Sequence, residues 1–320
     1  MLIVTNRNIV KSNFKNGIGD EGAFGDEVNG KGPNEVRLAY AEKKQGKWNI
    51  RLVKEPSRIT KSNIPSKKEF EELRDRLTSN KKNCVFFVHG FNQSFEKSLE
   101  KSLAIEKIYG VEVVAFSWPS NPGGFKTKEY RDAKRIAKSS VGALDATLEK
   151  IGNYLKEPFN REALESCDVK FSFMTFSLGN FLFQDYVGDV SYEAETNIFE
   201  NVILCQADVD NPGHECWVDK IETGKRVYVT INENDWVLKW SDANFQKARL
   251  GRFAEGLKST KAHYFDFTEG PNVGRTHGVF YKETNDVVKE FFTEVLNGRR
   301  GDSVKGLHYN ARSNSFRFEL

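Results

Sequence analysis

The strongest constraint on this chain is an alternation that begins near residue 84. Cys84-Val85-Phe86-Phe87-Val88 is an unbroken apolar run, and Val111–Phe116, Val169–Phe176, Asn201–Ala207, Arg226–Ile231 and Ala262–Phe267 are five further strand-like runs. Short continuous runs of this kind suit strands covered on both faces. Helical spacing fills the gaps between them. One predicted helix runs from Ser94 to Tyr109 and is closed by Gly110; another holds Ala137, Val141, Leu144, Leu148, Ile151 and Leu155 on one face. Shorter helices are expected over Leu178–Tyr186 and Glu283–Leu296. Strands that alternate with helices build a largely parallel α/β sheet with right-handed crossovers.

Ahead of this alternation, Val36–Glu42 and Trp48–Val53 flank Lys43-Lys44-Gln45-Gly46, a hairpin signal. Ser66-Lys67-Lys68-Glu69 reads as a capping box before Phe70, Leu73 and Leu77. Residues 7–35 are rich in Gly and Asn, lack apolar periodicity, and are expected to form a long loop. The division is therefore an irregular N-terminal segment (1–35), one α/β domain with an N-terminal hairpin (36–297) and a C-terminal tail (298–320).

Composition excludes more than it identifies. The 48 Lys+Arg against 45 Asp+Glu leave a charge of +3 over 320 residues, too small and too evenly spread for nucleic acid to be the expected partner. The Leu2-Ile3-Val4 run is too short for a signal-peptide core, and no stretch reaches the roughly 18 apolar residues of a transmembrane segment. Cytoplasm is the expected location. None of Cys84, Cys167, Cys205 and Cys216 forms a CxxC pair, and Cys84 and Cys205 read as small buried hydrophobes.

The chemistry lies at strand ends. Ser177, in Thr175-Phe176-Ser177-Leu178-Gly179, stands where a strand meets a helix, although Thr175 occupies a place where the nucleophile-elbow pattern has glycine. Asp235 follows the next strand but one, and His277 follows the strand after that. This is the order Ser, acid, His that a sheet of this kind uses. A serine hydroxyl needs an imidazole to take its proton, and the imidazole needs a carboxylate to hold its tautomer. His89-Gly90-Phe91-Asn92 lies after the strand expected to be third, so the backbone N–H groups of Phe91 and Leu178 are the candidate oxyanion donors. Asp208 and Asp210 stand as alternative acids. Simpler roles compete: Ser177 and Asp235 each fit a helix N-cap. His89 reads as structural, His263 as the start of a strand, and His214 and His308 as solvated. Trp118-Pro119 reads as the rim of a pocket.

At His89-Gly90-Phe91-Asn92, Phe116-Ser117-Trp118-Pro119-Ser120, Ser177-Leu178-Gly179-Asn180, Ala207-Asp208-Val209-Asp210, Asn234-Asp235 and the loop around His277, the chain resembles the α/β-hydrolase superfamily. It is most similar to a bacterial branch of uncharacterised serine hydrolases that share the first two motifs. The resemblance covers about residues 84–295. It implies the α/β-hydrolase fold, a mostly parallel twisted sheet with helices on both faces. It also implies an esterase- or lipase-like enzyme acting on a small-molecule or lipid ester, without metal or organic cofactor; amides and thioesters use the same machinery. The competing expectation is a hydrolase-fold interaction or effector protein, either catalytically silent or activated by a protein partner.

Overall fold

The apolar runs lie in strands and the amphipathic stretches in helices, with small shifts at their ends. The computed structural model describes residues 1–60, 63–124, 126–189, 197–245, 247–281 and 285–319. The chain divides into two units, Met1–Phe86 with Asn92–Lys170, and Phe87–Phe91 with Phe171–Leu320.

In the first unit, residues 7–35 are not the loop their composition suggests. The chain starts with β1 (Leu2–Thr5), and β2 (Arg7–Ile9), β3 (Phe14–Lys15), β4 (Ile18–Gly19) and β5 (Phe24–Val28) follow. These strands are two to five residues long, too short for a period-two pattern to stand out among Gly and Asn. The expected hairpin is β6 (Arg37–Lys44) and β7 (Lys47–Leu52). Gln45 and Gly46 both have positive φ, 50° and 81°, as a two-residue type I′ turn requires. After α1 (Pro65–Asn80), β8 (Cys84–Val88) and α2 (Phe95–Tyr109) comes β9 (Glu112–Ser117). The strands order as β9-β1-β6-β7-β4-β3, with β1 parallel to β9 and antiparallel to β6. The long helical stretch around residue 140 is two helices, α3 (Lys126–Ser139) and α4 (Val141–Lys156), followed by α5 (Pro158–Ser166).

Two local readings separate here. Ser94 caps α2, its hydroxyl accepting from Lys97 N at 3.2 Å, and Gly110 ends it at φ 69°. Ser66 does not cap α1, which begins at Pro65 with Ile64 ahead of it; the Ser66 hydroxyl bonds Tyr154 Oη at 2.7 Å instead. Proline at the first turn sets the start, because its missing N–H needs no partner there.

The serines of the Phe-Ser-Trp-Pro-Ser motif are hydrogen-bond nodes. Ser117 O accepts from Thr5 Oγ1 (2.6 Å) and Ser117 Oγ from Arg7 Nε (3.0 Å). Ser120 O accepts from Asn92 N (2.9 Å), and Ser120 Oγ from Gln93 N (3.1 Å). Trp118 is fully buried and forms no exposed rim. Arg7, also fully buried, further donates to Gln93 O, Gly25 O and Asp26 Oδ1. Burial pulls its guanidinium down to about 10, which leaves it charged at neutral pH.

The second unit begins with β10 (Phe171–Phe176), α6 (Gly179–Val187), β11 (Phe199–Cys205) and α7 (Glu215–Val218). It continues with β12 (Gly224–Ile231), α8 (Trp236–Phe245), β13 (Ala262–Asp266) and α9 (Asp286–Leu296). The expected start of this last helix, Glu283, lies outside the described residues. Residues 298–320 are more than a tail, since they carry β14 (His308–Asn310) and β15 (Ser315–Arg317). The order is β10-β11-β12-β13-β15-β14, parallel except for the last pair. Helices α6 and α9 both pack on β10. Much of this core is phenylalanine: the Phe265 ring lies 4.4 Å from Phe291 and 4.8 Å from Phe316, and Phe173 lies 4.7 Å from Phe183. Among the described residues, no helix is long and apolar enough to cross a membrane.

Candidate active site

β10 ends at Phe176 and α6 begins at Gly179, so Ser177 and Leu178 turn the whole corner. Ser177 has φ 53°, a left-handed conformation that costs a non-glycine residue about 1–3 kcal/mol. Hydrogen bonds on every side hold it there. Ser177 N donates to Cys205 O at 3.0 Å, and Ser177 O accepts from Asp208 N and Asn180 N, each at 3.1 Å. The Asn180 amide nitrogen donates to the carbonyls of Thr175, Ser177 and Cys205 at 3.0–3.3 Å. Thr175 Oγ1 donates to Asn180 Oδ1 at 2.6 Å. The threonine that departs from the elbow pattern is thus a partner of the residue that pins the elbow.

Two glycines let the neighbouring loop come close. A Cβ on Gly90 would lie 2.7 Å from Ser177 Cβ and 2.9 Å from Phe176 O. A Cβ on Gly179 would lie 2.7 Å from His89 O and 2.8 Å from Val88 O. Both contacts are with fixed atoms, so neither position has room for a side chain. They bring the 88–91 segment, with Phe91, against the serine corner. His89 is buried, its Nδ1 2.9 Å from Gly90 O, a structural placement.

Asp235 and His277 meet. Asp235 is fully buried on the loop after β12, and its Oδ2 lies 2.6 Å from His277 Nδ1. Its other oxygen accepts from Val237 N (2.9 Å) and Leu238 N (3.1 Å), the first turn of α8. Asp235 is therefore a helix cap and the partner of His277 at once, one oxygen for each. The positive end of α8 stabilises its charge. With Nδ1 directed at the carboxylate, Nε2 is the ring nitrogen of His277 turned away from Asp235. The His277 ring lies 4.7 Å from the Phe176 ring, tilted against it, and Phe176 is the residue before Ser177. Gly278, at φ 80°, makes the turn after it; a Cβ there would collide with the Tyr281 ring at 2.1 Å.

The alternative acids do not reach this histidine. Asp208 accepts from Ser241 Oγ at 2.8 Å and pairs with the buried Arg249, whose Nε lies 3.3 Å away. Asp210 binds Arg249 Nη1 at 2.6 Å and Lys247 Nζ at 2.7 Å. Arg249 draws both carboxylates to itself.

One reading of histidine changes. His214 is 1 % exposed, not solvated, with Nδ1 2.6 Å from Asn211 O and Nε2 2.5 Å from Tyr264 Oη. Its neighbours in sequence are polar, and the tertiary partner that buries it lies fifty residues away. His308 is exposed as expected, 3.3 Å from Glu319.

Sequence reasoning missed two amides in this site, Asn232 and Gln206. Asn232 Nδ2 donates to Gly274 O (3.0 Å) and Thr276 O (2.9 Å), anchoring the loop that carries His277. Gln206, fully buried one residue past β11, bonds both Asp235 and that same loop. The only local signal is its place at a strand end, beside the corner of Ser177. Among the described residues, no group of three His, Cys, Asp or Glu is placed to hold a metal ion.

A family model described as an alpha/beta hydrolase of unknown function (DUF900) matches residues 66–293. No curated protein matches the chain.

Proposed function

The chain belongs to this family of α/β hydrolases of unknown function, and from that premise we propose that it is a serine hydrolase cleaving a carboxylic ester through an acyl-serine intermediate. The observation that carries the reading is the left-handed backbone at Ser177, on a strand-to-helix corner of the same unit that pairs Asp235 with His277. Strain of this kind persists where the surrounding structure over-determines it, and it lifts a side chain out of the sheet.

In this reading His277 Nε2 takes the Ser177 proton as Oγ bonds the ester carbonyl carbon. The carbonyl oxygen becomes an oxyanion facing the N–H groups of Leu178 and Phe91. His277 then gives the proton to the departing alkoxide, which leaves as an alcohol. Water, deprotonated by the same imidazole, attacks the acyl-serine, releases the acid and returns the proton to Ser177. Asp235 keeps the imidazole in one tautomer throughout.

A fluorophosphonate probe tests the nucleophile. Wild-type protein is expected to take the label and Ser177→Ala to take none. Equal labelling of both, or none of the wild type, sinks the reading. A panel of p-nitrophenyl esters of rising chain length, run on the same pair, reads the acyl preference. Labelling that appears only after addition of cell extract marks a partner-activated enzyme instead.

A further inference from the structure

Among the described residues, Gln206 is the side chain that bonds both the acid and the backbone around the base. Its Nε2 donates to Asp235 Oδ2 at 2.5 Å and to Thr276 O at 2.9 Å. Its Oε1 accepts from Gly278 N at 2.5 Å and Val279 N at 2.9 Å. A carboxamide has two donors and two acceptor lone pairs, and all four are used here in full burial. The orientation is fixed by the partners: two N–H groups on one side admit only the oxygen, and a carboxylate and a carbonyl on the other admit only the NH2.

Its own backbone is held as firmly. Gln206 has φ 40°, a second left-handed non-glycine residue beside Ser177, and its N donates to Thr230 Oγ1 at 3.1 Å. Gly251 closes over it; a Cβ there would lie 2.2–2.6 Å from the Gln206–Ala207 backbone. Ser177 N bonds Cys205 O, and Ser177 O bonds Asp208 N, on either side of this corner. A side chain that only filled space would need neither the strained backbone nor the saturated amide.

We propose that Gln206 is a positioning residue for the Ser177–His277–Asp235 site. It fixes the carboxylate oxygen that faces His277 and clamps the loop on both sides of that histidine. The proposal rests on the serine-hydrolase reading. Removing the donor to Asp235 leaves that carboxylate more basic, so it holds the protonated imidazole more tightly and the free base appears only at higher pH. A glutamate at this place keeps the acceptors for Gly278 and Val279 but sets a second negative charge against Asp235.

The test is the rate of fluorophosphonate labelling of Ser177, from about pH 5 to 9, in wild type, Gln206→Leu and Gln206→Glu, with a thermal melt of each. Both variants are expected to label about tenfold to a hundredfold more slowly at neutral pH, the cost of a misplaced catalytic group. The acidic limb of the rate profile is expected to move upward in the order wild type, Gln206→Leu, Gln206→Glu. Variants that keep the wild-type limb overturn the proposal, even if slower and less stable, because general loosening lowers rate and melting together without moving it. If the leucine variant fails to fold, the glutamate variant, which retains the acceptors for Gly278 and Val279, decides alone. Wild-type protein that takes no label overturns the hydrolase reading itself, and the two failures are distinct.

Discussion

A left-handed serine is tolerated only when its neighbours leave it no alternative, and Ser177 has Asn180, Cys205 and Asp208 bonded around it. The glycine facing it matters as much as those bonds. Gly90→Ala places a methyl group 2.7 Å from Ser177 Cβ and 2.9 Å from a backbone oxygen, neither of which swings away on a flexible chain. Ser177 labelling is expected to fall by about a hundredfold, since displacement of about 1 Å at a reacting centre has that cost; labelling at the wild-type rate would show that the loop gives way freely. Ser177, Asp235 and His277 were legible because each type has a known office and each follows a strand run. Gln206 and Asn232 were not. A buried amide has no periodicity, and its importance comes from partners that are distant in sequence, such as Thr276 and Gly278 for Gln206.

Elements were legible to the extent that they were long or capped by their own residues. α2 lies between Ser94 and Gly110 as its sequence predicts, whereas the two- and three-residue strands β2 to β4 have no period to show. The segment from β11 to α7 hides a further dependence. Asn211 O only accepts, so His214 Nδ1 carries the proton and its Nε2 accepts from the Tyr264 hydroxyl. That hydroxyl in turn accepts from Ser259 N, and burial raises it to about 12. Burial lowers His214, and also His263, from the ordinary histidine value. Their folded pKa lies below the unfolded one, so their contribution is complete above about pH 6.5 and is lost as pH falls. Melting temperature is expected to drop on acidification below that point. His214→Gln, which keeps a donor and an acceptor without a titrating ring, should flatten part of the drop; an unchanged slope would refute the assignment.

At the scale of the whole chain, charge contributes little to stability. Among the described residues, most ion pairs have at least one exposed partner, such as Lys44–Glu42 and Lys68–Glu72, and such pairs are worth about 0–1 kcal/mol. Raising salt from low ionic strength to ~0.5 M, where screening is nearly complete over several ångströms, is expected to shift the melting temperature by no more than about 2–4 °C, the equivalent of about 1 kcal/mol; a larger fall would mean that a surface network supports the fold. The near-neutral composition and the 25 phenylalanines point the same way, toward packing. The placement of β1 has its own consequence for how the chain is made. Leu2 pairs with Tyr40 on one side and with Val114 on the other. A ribosome adding about 5–20 residues per second delivers the first partner within seconds of β1 but the second only after some seventy more residues. For that interval a nascent chain can complete the meander of β1, β6 and β7 while one edge of β1 stays bare. Among the described strands, β1 thus waits longest for its last neighbour, and its bare edge is open to other chains or to chaperones during that interval.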